Sequence, residues 1–361
     1  MGKVKLGDYV KIRTGKLDAN ASSENGKYPF FTCSKEPLKI DNYSYDCECV
    51  LVAGNGDLNA KYYNGKFDAY QRTYIIESNN KNILSIKYLF YFLDNYVETL
   101  QQQSIGGVIK YIKLGNLTDA QIPNYNINEQ QKIANTLDKV TDLIDKRKQQ
   151  LEKLDLLIKS KFVEMFGDPV ENPKNYTIYT LVSLGYLGRG ISKHRPRNAP
   201  ELLNGKYPLI QTGDIANSNL YIKNFKSTYS ELGFKQSKLW QKGTLCITIA
   251  ANIAKTSILS FDACFPDSIV GFIPNNKTNC IYIHYWFSFF QKILENQAPE
   301  SAQKNINLKI LNELKVILPP IELQNQFAEY VEKVEKIKAQ VQNSLDKLET
   351  LKKSLMQEYF G

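Results

Sequence analysis

Two distant segments of this chain repeat each other without a gap. Residues 130–166 and 324–360 both begin with Gln, contain no Gly or Pro, and end in Glu-Met-Phe or Glu-Tyr-Phe before a glycine. Apolar residues recur along both segments at steps of three and four, which is the spacing of one face of an α-helix. About 37 helical residues at 1.5 Å each make a rod of roughly 55 Å. The sequence therefore predicts two long helices of equal length.

The apolar positions of the two helices align one on one. Such a stripe on each helix predicts that the helices pack on each other in coiled-coil fashion, whereas a charged helix lying alone in solvent would lack a stripe. The predicted packing positions are Leu137, Val140, Leu143, Leu151, Leu154 and Leu157 in the first helix and Val331, Val334, Ile337, Leu345, Leu348 and Leu351 in the second.

Each long helix is preceded by matching sequence. A short apolar strand is predicted to end at a proline, at Ile122-Pro123 before the first helix and at Leu318-Pro319 before the second, because proline cannot continue a strand ladder. Further upstream, the pentapeptide Asn-Gly-Lys-Tyr-Pro occurs at residues 25–29 and again at 204–208. Asn-Gly is a turn signal, so both copies are interpreted as structural turns at equivalent points of two related domains.

The repeat divides the chain into domain, helix, domain and helix. The predicted boundaries are 1–127 for the first domain, 128–167 for the first helix, 168–320 for the second domain and 321–361 for the second helix. Both domains are expected to mix short strands with one helix, the helices lying around 86–100 and 281–295. The β-type runs are 49–53, 73–77, 244–250 and 268–274. The predicted fold class is α+β, with two similar domains of mixed structure.

Composition points to a polyanion-binding protein. The 361 residues carry a net charge of +9 and include 23 tyrosines, and Lys and Arg neutralise phosphates while Tyr offers flat contact area. Charge alone does not separate DNA, RNA and membrane surfaces. Because no signal peptide and no run of about 18 apolar residues occurs, the chain is expected to be soluble and cytoplasmic. The six cysteines lack zinc-site spacing, so they are expected to be reduced thiols and no metal is expected.

Catalytic signatures are missing from the sequence. The two Gly-x-Gly pairs at 54–56 and 188–190 lack the third glycine of a dinucleotide fingerprint, and no phosphate loop or His-Glu-x-x-His helix occurs. Only His194 and His284 could serve a nucleophile as base. His194 stands in a basic loop, and His284 stands in an aromatic run where a packed core histidine is the better interpretation. The chain is therefore predicted not to be an enzyme.

Basic residues gather in segments without helical spacing. The loop at 188–200 carries Arg189, Lys193, His194, Arg195 and Arg197, and its counterpart in the first half, read as a loop at 11–16, carries Lys11, Arg13 and Lys16. Arg72 is a further candidate in the first half. Arginine can grip guanine edges with two hydrogen bonds and both cations grip phosphates, so these residues are DNA-binding candidates. The alternative for any one of them is a merely solvated loop.

A second polar loop precedes each Leu-Pro or Ile-Pro segment. The loops span 101–113 and 300–309, and their Gln, Asn and Lys side chains are of the kinds that read base edges. The DNA-binding candidates here are Gln103, Lys110 and Tyr111 in the first half and Gln303, Lys304 and Asn305 in the second.

The order of these motifs, duplicated over the whole chain, resembles the DNA specificity subunit of type I restriction-modification systems. Residues 318–328 (LPPIELQNQFA) and 128–134 (NEQQKIA) stand where that family has a Pro-rich segment and a Gln-rich helix start. Residues 204–215 (NGKYPLIQTGDI) are similar to the start of a family recognition domain. The first half departs from the pattern, since residues 121–131 (QIPNYNINEQQ) lack the family's Pro-Leu-Pro-Pro.

The resemblance implies an architecture and a set of partners. The two helices would pack antiparallel and relate the halves by a pseudo-twofold axis. Each domain would be a target-recognition domain that reads one half of a split site in double-stranded DNA, and the helices would set the spacing. The chain would dock two methyltransferase subunits, which methylate adenine, and through them the restriction subunits. No cofactor is expected in this chain, because S-adenosylmethionine would belong to the methyltransferase.

Two alternatives stand beside this interpretation. The chain could be the recognition part of a fused restriction-methylation enzyme, although both ends fall on repeat boundaries and no methyltransferase signature occurs. It could instead be a scaffold whose long helices merely dimerise. A scaffold would show no steep salt dependence with DNA, whereas several phosphate contacts make affinity fall sharply as salt rises.

Overall fold

A computed structural model of the chain describes residues 2–250, 253–290, 293 and 306–361. The chain forms two compact units, the first made of Met1–Lys148 with Asn343–Gly361 and the second of Gln149–Gln342. Each unit therefore contains one globular segment and part of each long helix. This division differs in kind from the linear domain boundaries expected from the sequence, which stay a prediction.

The first unit is built on a six-stranded sheet. Its strands are β1 Lys3–Lys5, β2 Val10–Thr14, β3 Tyr28–Phe31, β4 Leu38–Ile40, β5 Tyr45–Ala53, β6 Ala60–Ala69, β7 Thr73–Ser78 and β8 Gln121–Pro123. The sheet order is β2-β7-β5-β6-β3-β4, antiparallel except for β3 beside β6, and β1 pairs separately with β8. Helix α1 spans Ile86–Gln103 and helix α2 spans Leu114–Thr118.

The central strand β5 is buried on both faces. Val50 and Val52 join one hydrophobic core together with residues of α1, while Cys49 and Leu51 join a second core on the other face. Neighbouring residues of a strand point to opposite faces, so a continuous apolar run suits a strand covered on both sides. The β-type run predicted at 49–53 is thereby confirmed.

The second unit divides its strands between two larger sheets. Its strands are β9 Ile178–Thr180, β10 Gly185–Arg189, β11 Leu203–Leu209, β12 Tyr221–Ile222, β13 Ser227–Tyr229, β14 Leu239–Trp240, β15 Leu245–Thr248, β16 Thr256–Leu259, β17 Ala263–Cys264, β18 Ile269–Pro274 and β19 Lys315–Ile317. One sheet has the order β10-β18-β15-β16-β12 and the other β13-β11-β17-β14, and β9 pairs with β19. The short helices are α4 Thr212–Ala216, α5 Glu231–Lys235, α6 Cys280–Trp286 and α7 Leu308–Glu313. Helix α6 begins one residue before the predicted 281–295 helix and ends at Trp286.

The two long helices are present as predicted. Helix α3 spans Ile127–Phe166 and helix α8 spans Ile321–Phe360, and each has 40 residues. The start of α3 is fixed without the Pro-Pro that precedes α8. Asn126 Oδ1 accepts from the backbone N–H of Glu129 at 3.0 Å, and Glu129 Oε2 accepts from Asn126 Nδ2 at 2.9 Å. This reciprocal capping replaces the prolines of the other half.

The helices run antiparallel within each unit. In the first unit Lys148 pairs with Glu349 at 3.3 Å, and the earlier residue Leu137 shares a core with the later residue Phe360. In the second unit Asp155 pairs with Lys338 at 2.7 Å, and Phe162 meets the still earlier Phe327 with 5.5 Å between ring centroids. Partners thus move backward along α8 as residues advance along α3.

Four of the predicted packing positions are wrong. Leu143, Leu157, Ile337 and Leu351 are 44–47% exposed. Each is the third position in a run with two consecutive three-residue steps, such as 137, 140 and 143. Two such steps rotate the side chain by about 120° away from the stripe. The buried residues come four residues after Val140, Leu154 and Val334, at Ile144, Ile158 and Lys338. The pattern missed Lys338 because it is charged.

The fourth residue of each long helix is a buried glutamine, at the same place in the repeat. In the first unit Gln130 Nε2 donates to the carbonyls of Ile83 and Tyr125, both at 2.8 Å. Its Oε1 accepts from the backbone N–H of Ser85 at 2.9 Å, one residue before α1. Gln324 makes corresponding bonds in the second unit. The two glutamines attach the long helices to their domains.

A tyrosine and the last residue of a long helix also occupy repeated positions. Tyr88 donates to the carbonyl of the last residue of β8 at 2.8 Å and packs on Phe360, with 5.3 Å between ring centroids. Tyr282 donates to the carbonyl of the last residue of β19 at 2.6 Å and packs on Phe166 at 5.0 Å. The end of α8 therefore completes the core of the first unit, and the end of α3 completes the core of the second.

The two Asn-Gly-Lys-Tyr-Pro copies differ in local structure. The first copy has a turn at Glu24–Asn25 before β3, as predicted, but the second lies inside β11 with a bulge, so a turn there is wrong. What the copies share is a close approach at the glycine. A Cβ on Gly26 would lie 2.3 Å from a backbone atom of the neighbouring strand, and one on Gly205 would lie 2.4 Å away. The glycines are needed for strand contact.

None of the helices in the described part of the chain combines the length and apolarity needed to span a bilayer. All six cysteine thiols are free. Burial raises the pKa of the Cys280 thiol to about 12 and raises the pKa values of Cys246 and Cys264 as well. Raised pKa values keep these thiols protonated and unreactive at neutral pH.

Candidate nucleic-acid interface

In the first unit the turn at 54–56 joins two segments that carry candidate residues. The backbone N–H of Gly54 donates to the carbonyl of Arg72 at 2.7 Å, and the N–H of Gly56 donates to the carbonyl of Lys110 at 3.0 Å. The sequence offered this Gly-x-Gly only as a weak cofactor motif. In the structure its two glycines bond to the main chains of Arg72 and Lys110 at one edge of the sheet, where β5 ends and β7 begins.

Residues 105–111 form a small hairpin beside this turn. Ile105 and Tyr111 exchange backbone hydrogen bonds at 3.0 and 2.9 Å, and Tyr111 also bridges to Asn55. The tip of the hairpin exposes Val108 and Ile109. Gln103 is the last residue of α1, and its Oε1 accepts from Asn116 Nδ2 at 3.1 Å. Gln103 is thus a helix residue and not part of the predicted loop, whereas Lys110 and Tyr111 lie in the hairpin, and all three are exposed.

Four residues at this edge, Cys33, Asn55, Asn59 and Lys61, are not among the candidates that the sequence indicates. Cys33 Sγ donates to Asn55 Oδ1 at 2.9 Å, and Asn59 Nδ2 donates to the carbonyl of Cys33 at 2.9 Å. Lys61 Nζ donates to Asn59 Oδ1, and burial lowers the pKa of this lysine. The available signal was a polar cluster after a Gly-Asn-Gly turn, but the partner Cys33 lies too far away in sequence to be connected with it.

The predicted basic loop at 11–16 is largely a strand. Lys11 and Arg13 lie in β2, where Val10, Ile12 and Thr14 supply the alternation typical of a strand. Arg13 pairs with Glu77 at 2.8 Å and stacks on the Tyr45 ring with its guanidinium 4.8 Å from the centroid.

The side chain of Arg13 therefore binds Glu77 and Tyr45 on one face of the sheet. In a strand every second side chain points to the same face. Lys11 and Lys16 remain exposed, and Lys16 alone of the three follows the strand as part of a loop.

In the second unit the loop predicted at 188–200 is confirmed for residues 190–199, whereas Gly188 and Arg189 lie in strand β10 and Pro200 begins a short 3₁₀ helix. The loop leaves β10 after Arg189 and contains no strand. The side-chain carbonyl of Gln236 accepts the backbone N–H groups of Lys193 and His194 at 2.5 and 3.0 Å. Ser237 Oγ donates to the carbonyl of Ile191 at 2.9 Å. These three bonds from neighbouring side chains fix the main chain of the loop, so its basic side chains are held in defined positions.

Two arginines of this loop, and Arg189 at the end of β10, converge on Asp267. Arg197 Nη2 lies 2.5 Å from one carboxylate oxygen of Asp267, and Arg195 Nη2 lies 3.5 Å from the other. Arg189 Nε donates to the main-chain carbonyl of Asp267. His194 Nε2 lies 4.0 Å from Glu201. The loop is therefore an organised group of cations with one carboxylate at its centre.

A cavity of about 270 Å³ lies next to this group. Arg197, Gln211, Tyr229 and Ser268 are among the residues that line it.

The remaining candidates Gln303, Lys304 and Asn305 lie outside the described residues. Within the ranges that the structure describes, no three His, Cys, Asp or Glu side chains come together as ligands for a metal ion.

Comparison with known proteins identifies the family. The family model described as the type I restriction modification DNA specificity domain matches residues 1–155 and again residues 173–350. The chain belongs to this family. Members are specificity subunits, so the chain is the non-catalytic DNA-recognition component of a type I restriction-modification system. Specificity subunits of such systems bind DNA and work within complexes with methyltransferase and restriction subunits.

Curated members of the specificity-subunit family align over almost the whole chain. The type I restriction enzyme EcoDI specificity subunit of Escherichia coli is 27% identical over 392 residues, which cover 99% of this chain and 87% of that protein. The EcoBI specificity subunit of the same organism is 22% identical and covers 87% of this chain and 73% of its own length. Because these relatives are separate subunits, the fused-enzyme alternative is not favoured.

Solved structures share the fold. The S subunit of a type I restriction-modification system from M. genitalium covers 99% of this chain and 96% of its own length at 18% identity, with a TM-score of 0.66. A chain from a structure concerned with assembly and conformational transition of the type I system covers 99% and 97% at 16% identity, with a TM-score of 0.56. The predicted α+β fold with two domains and two long helices is confirmed.

Proposed function

We propose that each unit reads one half of a split site in double-stranded DNA, with the polar edges described above as the contact surfaces. The observation that carries this proposal is a repeated frame with different loop chemistry. Buried anchors such as Gln130 and Gln324 are the same in both units, whereas the exposed edge carries Arg72, Lys110 and Tyr111 in one unit and an arginine cluster in the other. A shared frame with different exposed groups is what two different half-sites require.

The division of roles between side chains follows from their chemistry. Arginine and glutamine can make paired hydrogen bonds to guanine and adenine edges, while lysine neutralises phosphates. Arg72, Arg195 and Arg197 are therefore proposed to read bases, and Lys16, Lys110 and Lys193 to hold the backbone. Lys11, Arg189, His194, Gln103 and Tyr111 are proposed to support these contacts, as are Gln303, Lys304 and Asn305. Arg13 supports the sheet through Glu77.

The long helices are proposed to set the number of unread base pairs between the half-sites. Their antiparallel pairing within each unit, through Lys148 and Glu349 in one and Asp155 and Lys338 in the other, supports one fixed register. We further propose that two methyltransferase subunits dock on the chain and recruit restriction subunits. S-adenosylmethionine would then bind to the methyltransferase, which must flip the target adenine out of the duplex. The proposed compartment is the cytoplasm, where the cell's DNA lies.

Replacement of residues 172–310 by the matching segment of a relative tests the proposal. The chimaera, assembled with its methyltransferase, is expected to methylate a site in which one half has changed and the other half and the spacer have not. A change in both halves, or in neither, contradicts the assignment of one half-site to each unit. The affinity of the complex for DNA should also fall steeply with salt, because each phosphate contact releases about one counterion.

A further inference from the structure

Strand β18 pairs with β10, and the segment just before β18 has an equivalent just before β7 in the first unit. The backbone N–H of Gly190, just after β10, donates to the carbonyl of Ile269, the first residue of β18, at 2.8 Å. In the first unit Gly15, just after β2, donates in the same way to Thr73, the first residue of β7, at 3.1 Å. The residue two positions before Ile269 has a side chain that contacts the loop after β10. The residue two positions before Thr73 has a side chain that contacts the loop after β2.

That side chain differs between the units. In the first unit it is Gln71, whose Nε2 donates to Asp18 Oδ1 at 2.7 Å. In the second unit it is Asp267, which contacts Arg197 and Arg195 at 2.5 and 3.5 Å. One position in the shared frame therefore holds the exposed loop in both units, but it does so with an amide in one and a carboxylate in the other.

The carboxylate is less exposed than its two arginines. The side chain of Asp267 is 26% exposed, whereas those of Arg195 and Arg197 are 55% and 45% exposed. Arg195 Nη1 is further fixed by the carbonyls of Ser192 and His194 at 2.6 and 2.8 Å. A guanidinium has five N–H donors, so both groups keep donors for an outside acceptor.

We propose that Asp267 is a positioning residue for DNA recognition. It holds the guanidinium groups of Arg195 and Arg197 in one arrangement before DNA binds, and that arrangement selects a guanine edge in the second half-site. Donors that are already fixed lose little conformational entropy on binding, and an arginine aimed at O6 and N7 of guanine discriminates against other bases. The inference rests on the proposed function, since it concerns the surface proposed to read one half-site.

Removal of this carboxylate has different consequences for DNA binding if Asp267 acts only through its charge and if it positions the arginines. Asp267→Asn removes one negative charge beside a basic surface, so electrostatics alone predicts tighter binding to every duplex. A positioning role predicts that the preference for the correct base in the second half-site is lost while binding to unrelated DNA is kept or strengthened. The ratio of two affinities therefore separates the roles, whereas a single affinity does not.

The experiment uses the full chain assembled with its methyltransferase subunits. Affinities are measured over a range of salt for the duplex identified by adenine methylation and for duplexes substituted at each base pair of either half. Glu231→Gln is the matched control, because Glu231 is an exposed carboxylate of the same unit that pairs with Lys206 at 2.8 Å. Both variants change the net charge equally.

Asp267→Asn is expected to lower discrimination at one or two base pairs of the second half by about tenfold, the value of one good arginine–guanine contact. It should leave the first half unaffected, and Glu231→Gln should leave both halves unaffected. If Asp267→Asn instead keeps the wild-type ratio, or tightens all duplexes alike as the control does, the positioning role is overturned and the proposed function stands. If the wild-type complex binds all duplexes alike, the proposed function fails and the positioning role with it.

Arg197→Lys provides a second test from the other side of the contact, for use if Asp267→Asn lowers the thermal unfolding midpoint too far. It keeps the charge but loses the planar two-pronged donor set. The expected result is the same loss of second-half discrimination with an unchanged salt slope. Unchanged discrimination in this variant also overturns the proposal.

Discussion

Gln324 offers a direct test of how the long helices are attached to the domains. Its carboxamide is fully buried, and its Nε2 donates to the carbonyls of Pro319 and Lys277 at 2.8 and 3.2 Å. Its Oε1 accepts from the backbone N–H of Asn279 and from Thr278 Oγ1 at 2.9 and 3.1 Å. Replacement by Met keeps the length and much of the volume but removes all of these bonds.

The expected loss follows from the partners left behind. Each hydrogen bond contributes roughly 0.5–1.5 kcal/mol, and a buried group left without a partner costs roughly 1–3 kcal/mol. Because the Thr278 hydroxyl can rotate toward another acceptor, three main-chain groups dominate the cost. Three main-chain bonds at roughly 0.5–1.5 kcal/mol each total roughly 2–4 kcal/mol, so Gln324→Met should lower the free energy of unfolding by at least that amount.

Equilibrium unfolding in urea, followed by tryptophan fluorescence, measures this loss. Both tryptophans, Trp240 and Trp286, lie in the second unit, so their signal reports the unit in which Gln324 is buried. The control is Gln326→Met, two residues along the same helix at an exposed position, which should change stability by less than about 0.5 kcal/mol. A similar small change in both variants would refute the anchoring role of the buried glutamine.

Three further predictions concern pH, the helix ends and the spacer. Burial and the charge of nearby Lys338 lower the pKa of His284 to about 4. Because the unfolded state then binds more protons than the folded state between pH 6.5 and 4, the free energy of unfolding should fall by about 3 kcal/mol over that range. His284→Phe, which installs the residue that Phe90 supplies at the matching place in the first half, should flatten that loss in pH-dependent unfolding, and an unchanged slope would contradict the assignment. Phe360→Ala should destabilise the first unit by about 3–5 kcal/mol in urea unfolding followed by circular dichroism, because the ring fills its core, and a loss below about 1 kcal/mol would contradict this. Insertion of one heptad between residues 148 and 149 and another between 342 and 343 should change the spacer and leave both half-sites intact when methylated sites are mapped, whereas an unchanged spacer would contradict the role of the helices.

The repeat made the long helices and the core anchors predictable from the sequence. Gly- and Pro-free segments of one length give helices by local physics, and the same glutamine in both copies pointed to a shared frame even before its buried bonds were visible. The strands at 49–53 and 73–77 could be read because continuous apolar runs have few alternatives. Local pattern was sufficient for these elements.

Positions decided by tertiary contact could not be predicted in the same way. Lys338 fills a core position because Asp155 and Glu335 pair with it at 2.7 and 2.6 Å, and a hydrophobic pattern excludes lysine from such a place. The second copy lies in a bulged strand because Tyr229 of the neighbouring strand pairs with both Leu203 and Tyr207, on either side of Asn204-Gly205.

Long-range partners also decided the candidate site. The sequence predicts Arg13 in a loop, but Glu77, distant in sequence, holds it on the sheet. Local sequence does not identify Asp267, because its arginines lie about 70 residues earlier in the chain. Residue types identified the chemistry of the surface, while the pairing of those residues depended on the fold.

Mapping of methylated adenines in the DNA of cells that contain this chain and its methyltransferase tests the central claim most directly. If each unit reads its own half-site, every methylated adenine will fall in a split motif whose two halves differ in sequence and are separated by a constant number of unread base pairs. A continuous motif, or two identical halves, would contradict the account.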